Sequence, residues 1–208
     1  IKYLKEKYEI RIDSLTGDCF MQEPFWKKRN KEMEQGKIDF KNICNASSQA
    51  EIKIIVIPLV DNGSISSVDE NIILKEFLIS QEEFLINLNL KIAFESDYNP
   101  KKLKEFIDQY PKDIFGINYD MGNSASLGFN SQEEIDNYGE RIINVHIKDR
   151  SFGGKTTKLG TGDVNFQNVF KNLNLNNYKG NFILQAARSK FNHHKDLIKE
   201  QIQYIKSF

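Results

Sequence analysis

Four polar residues each end a short apolar segment of the sequence, and together they could bind a divalent metal ion. They are Glu95, Asp120, His146 and Gln185. In a parallel barrel the carboxyl ends of the strands all point to one face, so we expect these side chains to converge there. Carboxylates, an imidazole and an amide oxygen are all ligands of divalent cations in proteins. The four residues therefore predict a metal centre.

Strand and helix patterns alternate along the whole chain. The four polar residues are separated by 25, 26 and 39 positions, and each interval accommodates a strand, a helix and their loops. Period-two and apolar runs predict strands at 8–13, 51–59, 90–95, 114–120, 141–147 and 181–185. Helical periodicity covers most of the intervening segments, and one helix begins with a capping box formed by Ser131 and Glu134. This order predicts a single α/β domain over residues 1–208.

The number of repeating units points to a truncated barrel. Six βα units are recognisable, whereas a closed (β/α)8 TIM barrel has eight. Residues 1–7 resemble the end of a helix, so we expect the first two units, roughly 60 residues, to be missing before it. An open parallel sheet would expose an apolar edge, which favours truncation over a different fold.

Composition excludes several classes of protein. Lys plus Arg and Asp plus Glu number 29 each, so the formal net charge is zero and favours neither nucleic acid nor an anionic membrane as partner. No window approaches 18 consecutive apolar residues, the length expected of a membrane helix. Cys19 and Cys44 have no metal-type spacing and are interpreted as free thiols. We therefore expect a cytoplasmic protein.

Five segments, in this order, resemble the xylose-isomerase-like (AP endonuclease family 2) superfamily of sugar phosphate isomerases and epimerases. These are Phe94–Asp97, Tyr119–Asn123, Val145–Asp149, Leu159–Asp163 and Leu184–Arg188. The resemblance implies a TIM barrel with one Mn²⁺, Mg²⁺, Co²⁺ or Zn²⁺ ion. It also implies that two glutamates of the family move a proton beside a substrate carbonyl through a metal-bound enediolate. Glu95, Asp120 and His146 correspond to three of the family's metal ligands.

The chain departs from the family at Gln185, where the family usually has the second catalytic glutamate. An amide oxygen can still ligate a cation, but it carries no charge and takes up no proton near neutral pH. We expect Gln185 to be a neutral fourth ligand and Glu95 to be both ligand and base. Three alternatives stay open: a catalytically impaired relative that binds a carbohydrate or has no enzymatic role, inosose dehydration, and hydroxypyruvate isomerisation.

Other polar residues are expected around the substrate. Asn123 is predicted to contact substrate hydroxyls, although an Asn after a glycine is equally typical of a turn. Lys158 and Arg188 are candidates to bind a phosphate or a terminal hydroxyl, and the alternative for the lysine is a solvated loop. The Asp149 carboxylate is predicted to orient the imidazole of His146.

The expected partner is a small carbohydrate or sugar phosphate, and a homo-oligomer stays open. The resemblance extends to apurinic-site DNA endonucleases, which share the fold. Those enzymes need a multi-zinc cluster with many more histidines and a basic surface. Three histidines and zero net charge argue against that activity and against nucleic acid as a partner.

Overall fold

Six parallel strands are hydrogen-bonded into one sheet. The computed structural model describes residues 1–185, 187–189 and 192–208. The strands of this sheet are β1 (Ser14–Thr16), β2 (Ile54–Leu59), β3 (Lys91–Ser96), β4 (Phe115–Asp120), β5 (Ile142–Ile147) and β8 (Asn181–Leu184). They are hydrogen-bonded in the order β1-β2-β3-β4-β5-β8, which is their order along the chain. This order confirms the predicted βα architecture. Strands that follow one another in the chain become parallel neighbours when each is joined to the next by a crossover on the same side of the sheet.

Ten α-helices connect or flank these strands within the described ranges. They are α1 (Lys2–Tyr8), α2 (Asp18–Gln22), α3 (Asn30–Gln49), α4 (Val68–Ser80), α5 (Glu82–Asn87), α6 (Pro100–Ile107), α7 (Met121–Leu127), α8 (Ser131–Tyr138), α9 (Phe166–Leu175) and α10 (His194–Ile205). The short strands β6 (Asp149–Arg150) and β7 (Thr156–Thr157) pair antiparallel in the loop after β5. None of the helices in the described part of the chain is long and apolar enough to cross a membrane.

By their internal contacts the residues divide into two compact units. The first unit comprises Ile1–Ser96 and Glu105–Ile117, and the second comprises Asp97–Lys104 and Asn118–Phe208. The single domain that the sequence predicts stays a prediction.

The core of the first unit lies around β2, whose six residues are all buried. Phe25, Phe40 and Phe77 pack edge to face on one side of this core, with ring centroids 5.0 Å apart for Phe25 and Phe77 and 5.4 Å apart for Phe40 and Phe77. Gly36 of α3 makes this packing possible, because a Cβ atom there would lie 2.5 Å from the Cβ of Phe25. Close approach therefore explains a glycine in the middle of a long helix.

The strand predicted at 8–13 is wrong. Tyr8 belongs to α1, and the chain leaves that helix at Glu9 with a left-handed backbone (φ 51°). The amide of Ile10 bonds back to the carbonyl of Lys5 at 3.0 Å, as at a helix end. Pairing begins only at Ser14, which aligns with Ile54 of β2. The alternation of Tyr8 and Ile10 does not mark a buried face, because both side chains are about half exposed in the structure.

The second unit contains a buried carboxylate that the sequence assigned to a helix cap. The side chain of Asn130, not of Ser131, caps α8 by accepting from the amides of Gln132 and Glu133 at 2.9 and 3.2 Å. The capping-box prediction is therefore wrong. Glu134 points inward and accepts hydrogen bonds from the hydroxyls of Tyr119, Tyr138 and Ser124. Burial raises the pKa of this carboxyl, although the three hydroxyl donors act in the opposite direction.

Candidate metal centre

Asp120 is the last residue of β4, and its two carboxylate oxygens make different contacts. Oδ1 accepts from the backbone amide of Asn123 at 2.8 Å and caps helix α7. This bond fixes the side chain, which is 5% exposed, and leaves Oδ2 facing the neighbouring strand. There Oδ2 lies 3.8 Å from Nδ1 of His146 and 3.3 Å from Nζ of Lys148. The turn-forming and ligand interpretations of Asp120 are therefore compatible.

His146 lies on β5 beside Asp120 and is 2% exposed. Its Nδ1 is 3.1 Å from the amide nitrogen of Asn118 on β4. The Oδ1 atom of Asn118 in turn accepts from Nδ2 of Asn144 at 2.7 Å. Because residues two apart on a strand share a face, Asn118 accompanies Asp120 on β4 and Asn144 accompanies His146 on β5. The imidazole is thus held by an amide chain inside the second unit.

Glu95 is the penultimate residue of β3 and belongs to the first unit. It is 7% exposed, and it aligns with Pro58 of β2. Strands β3, β4 and β5 are successive neighbours in the sheet, so Glu95, Asp120 and His146 each occupy a carboxyl-terminal position of consecutive strands. These three buried side chains offer two carboxylates and one imidazole as potential metal ligands.

Two cations and one amide form a cluster next to Asp120. Lys148 and Arg150 both donate to Oδ1 of Asn123, at 3.2 and 2.7 Å. Lys148 reaches this position because Gly122 has no side chain; a Cβ atom at Gly122 would lie 2.7 Å from its Cγ. Two donors on one oxygen orient the Asn123 amide so that its nitrogen points away from both cations. The structure therefore places Asn123 beside Asp120, where the sequence expects a substrate contact.

Asp149 holds the loop that follows β5. It is fully buried, and its Oδ2 accepts from the amides of Gly160 and Gly162, both at 2.9 Å. Oδ1 accepts from the amide of Val164 at 3.2 Å. The carboxylate that the sequence assigned to the imidazole of His146 thus binds backbone amides, and its role towards the imidazole stays a prediction.

The remaining predicted site residues lie on exposed segments. Gln185 follows β8, and its backbone amide donates to the carbonyl of Ile147 at 2.9 Å, while the residue is exposed. Arg188 is exposed as well, and Ala186 between them lies outside the described residues. Lys158 pairs with Glu200 of α10 at 2.6 Å. Ligand and substrate roles for these side chains stay predictions.

Sequence reasoning missed Asn118, Asn144 and Arg150. A signal for the first two was present, because Asn118 and Asn144 each precede a proposed ligand by two positions on adjacent strands. On a strand this spacing places both side chains on the same face. Arg150 offered no comparable signal, since its contact with Asn123 depends on the path of the loop.

The chain is similar to known proteins over almost its full length. Residues 1–208 match the family described as xylose isomerase-like TIM barrel. An inosose dehydratase from Clostridium perfringens is 22% identical over 224 aligned positions, which cover 90% of this chain and 74% of the relative. A solved D-allulose 3-epimerase from Methylomonas sp., in complex with D-allulose, superposes with a TM-score of 0.81 at 15% identity, covering 99% of this chain and 80% of the other. The IolI protein with a bound zinc atom gives a TM-score of 0.73 at 17% identity, covering 99% and 78%.

Proposed function

Because the chain belongs to the xylose isomerase-like TIM barrel family, we propose that it is a metal-dependent isomerase of a small carbohydrate. Glu95, Asp120 and His146 would ligate one divalent cation, and Gln185 would add a neutral fourth ligand. The observation that carries the proposal is the buried pair of Asp120 and His146 at the ends of neighbouring strands, with Oδ2 and Nδ1 3.8 Å apart. Glu95 adds a second buried carboxylate from the preceding strand.

The donor set fits a divalent cation. Metal–ligand bonds to oxygen and nitrogen are about 2.0–2.2 Å long, so one ion can bridge two ligand atoms at the observed separation. Carboxylate and imidazole ligands suit Mn²⁺, Co²⁺ and Zn²⁺, and Mg²⁺ accepts the carboxylates. The zinc atom of the IolI structure supports a metal in this part of the family. Bound there, a cation would polarise a substrate carbonyl and stabilise negative charge on its oxygen.

The protein's own residues would move the proton. Glu95 would act as the base that removes it from the carbon beside the carbonyl. The Asn123 amide nitrogen, turned away from the two cations that hold its oxygen, would donate to a substrate oxygen. Gln185 can take up no proton, so a reaction that inverts a stereocentre lacks its second base. One base suffices for an aldose–ketose interconversion, which is why we favour isomerisation over epimerisation.

Dehydration of a cyclic polyol ketone is the second candidate. Removal of a proton beside a carbonyl, followed by loss of a neighbouring hydroxyl as water with the proton that Glu95 has taken up, also requires only one base. The inosose dehydratase from Clostridium perfringens, 22% identical to this chain, favours this candidate specifically. A sugar or an inosose would use the same ligands and the same base, so one assay can compare the two.

Solvent deuterium exchange tests the proposal directly. The protein would be incubated in heavy water with Mn²⁺ and with D-fructose, D-allulose or an inosose, and the sugar would be followed by NMR. We expect deuterium at the carbon beside the carbonyl, and a rate at least ~100-fold lower in Glu95→Gln, because a general base contributes about that much or more. Glu133→Gln, an exposed change on α8, is the matched control.

Thermal unfolding with and without Mn²⁺ separates the outcomes. A metal that binds only the folded protein at 100-fold excess over its dissociation constant stabilises it by ~2.7 kcal/mol. Stabilisation without exchange for any substrate would favour the impaired relative with a binding role. If Mn²⁺ produces no stabilisation and no substrate shows exchange, the proposed metal site itself is contradicted. Exchange that appears only in Gln185→Glu would mean that the second base is indispensable.

A further inference from the structure

A cavity of about 330 Å³ lies entirely within the second unit. Tyr119 of β4 forms part of its lining, whereas the next residue, Asp120, faces His146. Successive side chains of a strand point to opposite faces of the sheet, so this cavity is separate from the candidate metal centre. Its volume falls within the range of about 300–1,000 Å³ that is typical of sites for small molecules.

The buried part of the cavity lining contains two hydroxyl groups. Tyr119 and Ser124 are 3% and 7% exposed, and both hydroxyls are hydrogen-bonded to the carboxyl of Glu134. A hydroxyl has one donor and two acceptor positions, so a single bond to Glu134 leaves each oxygen able to bond to a ligand as well. Met121 and Val169 add buried apolar surface to the same lining. The bottom of the cavity is therefore apolar with two fixed hydroxyl oxygens.

The exposed part of the lining carries three side-chain amides, those of Asn130, Asn165 and Asn168. The oxygens of Asn130 and Asn165 accept from the backbone amides of Gln132 and Asn168, at 2.9 and 3.1 Å. These bonds hold the two side chains in place and leave their NH₂ groups as donors. The side chain of Asn168 offers both a donor and an acceptor. A ligand that matches this rim needs hydrogen-bond donors and acceptors together.

An aromatic ring stands at the edge of the cavity. Phe152 is 72% exposed, yet its position is fixed by two contacts. Its amide donates to Oδ2 of Asp163 at 2.7 Å, and its ring lies against Gly128, where a Cβ atom would be 2.7 Å from a ring carbon. Phe129 contributes a second ring to the lining. Aromatic surface beside a few placed polar groups is typical of sites that bind small ring compounds.

The charges around the cavity favour a neutral ligand. Among the described residues that line it, none is a lysine or an arginine. A phosphate or carboxylate would therefore lose its water without gaining a cation as partner, which is costly. The one carboxylate of the lining, Asp163, is exposed, so its attraction for a cation is weakened by solvent. Asp163 can still accept a hydrogen bond from a hydroxyl.

We propose that this cavity binds a neutral polyhydroxy ring compound of about the size of a monosaccharide. Hydroxyls of the ligand would donate to Asp163 and to the oxygens of Tyr119 and Ser124, and would accept from the asparagine amides. Its C–H surface would lie against the ring of Phe152. None of the lining residues is a candidate metal ligand, so the inference is independent of the proposed function.

Backbone amide shifts in NMR test the inference without any assay of activity. Protein labelled with nitrogen-15 would be kept metal-free with a chelator and titrated with D-glucose and with myo-inositol. D-Gluconate and D-glucosamine, titrated separately, provide an anion and a cation of similar size. We expect saturable shifts with a neutral probe at the amides of Gly128, Ser131, Phe152 and Asn168, which line the cavity. The two charged compounds should bind more weakly.

Substitutions on one face of α9 locate the binding site. Asn168→Trp places an indole at the cavity and should abolish the shifts. Asn168→Ala removes one side-chain amide and should raise the dissociation constant roughly 2- to 10-fold, the effect of one hydrogen bond. Asn174→Trp is the matched control, because Asn174 is an exposed asparagine of the same helix outside the cavity lining; it should leave the dissociation constant unchanged. Should Asn168→Trp fail to fold, Asn168→Ala still tests the contact.

Each outcome decides for or against the site. Saturable shifts with a neutral probe that disappear in Asn168→Trp and persist in Asn174→Trp would support it, whether or not the protein binds a metal. No shift at the cavity with either neutral probe would overturn the inference. It would equally be overturned by shifts that are unchanged in both variants of Asn168, or by tighter binding of D-gluconate or D-glucosamine than of the neutral probes.

Discussion

Replacing Asp149 with asparagine should loosen the loop after β5 and destabilise the protein. The Asp149 carboxylate accepts three backbone amide hydrogens, from Gly160, Gly162 and Val164, at 2.9, 2.9 and 3.2 Å. The side chain is fully buried, so water cannot replace a lost partner. Asparagine has the same shape but offers only one oxygen. The side-chain nitrogen of asparagine is itself a donor. At least one of the three backbone amides would therefore face a donor in place of an acceptor.

The magnitude follows from the kind of hydrogen bond that is lost. Hydrogen bonds to a charged group contribute about 1.5–3 kcal/mol each, against about 0.5–1.5 kcal/mol for neutral ones. The asparagine oxygen would keep two neutral bonds in place of the charged bonds to Gly160 and Gly162. The bond to Val164 would become a donor–donor contact. Asparagine also avoids the cost of burying a charge, so we expect a net loss of roughly 2–4 kcal/mol in the free energy of unfolding.

Urea unfolding and amide hydrogen exchange measure the two parts of this prediction. The unfolding midpoint should fall in Asp149→Asn, and the amides of Gly160, Gly162 and Val164 should exchange faster. Asp136→Asn is the control, because Asp136 is an exposed residue of α8 that accepts one side-chain bond from Gln132 at 2.7 Å; it should change stability by no more than ~0.5 kcal/mol. A similarly small effect for Asp149→Asn, with unchanged exchange, would refute the role assigned to this carboxylate.

Two further predictions concern Glu134 and Gly36. Burial raises the pKa of the Glu134 carboxyl above its ordinary value, so the folded state binds that proton more tightly than the unfolded state. Stability should therefore fall as the pH rises from the ordinary carboxyl pKa through the raised one, and this fall should be absent in Glu134→Gln; parallel urea profiles of the two proteins would contradict the assignment. In α3, Gly36→Ala should destabilise the protein by about 1 kcal/mol, because overpacking against Phe25 outweighs the gain in helix propensity. A higher unfolding midpoint in urea would contradict that packing.

The fold class could be predicted from the sequence because it depends on local patterns. An apolar run such as Ile54–Leu59 is buried on both faces, which is typical of a strand inside a parallel sheet. Alternation of such runs with helical segments then leaves few topologies. The first strand was misplaced because Tyr8 and Ile10 alternate without being buried. Only the pairing of Ser14 with Ile54, which is a contact between distant residues, decides where that strand begins.

The three candidate ligands could be identified in the sequence for a related reason. Neighbouring parallel strands have their carboxyl ends at the same edge of the sheet. A polar residue at the end of each apolar run can therefore be recognised in the sequence as a candidate for a shared site. Glu95, Asp120 and His146 are ordinary polar residues in type and distinctive only in position. Their residue types then define the chemistry that they can support, which requires no coordinates.

The partners of these residues were decided by tertiary structure alone. Glu134 has the spacing of a helix cap, yet it lies in the core, because three hydroxyls from separate positions are there to bind it. Asp149 was expected to orient His146, and the structure shows that its oxygens accept hydrogen bonds from three amides of the loop after β5. A sequence records which groups can donate or accept a hydrogen bond. Which donor meets which acceptor depends on the distances that the packed chain imposes, and these are set by contacts between residues far apart along it.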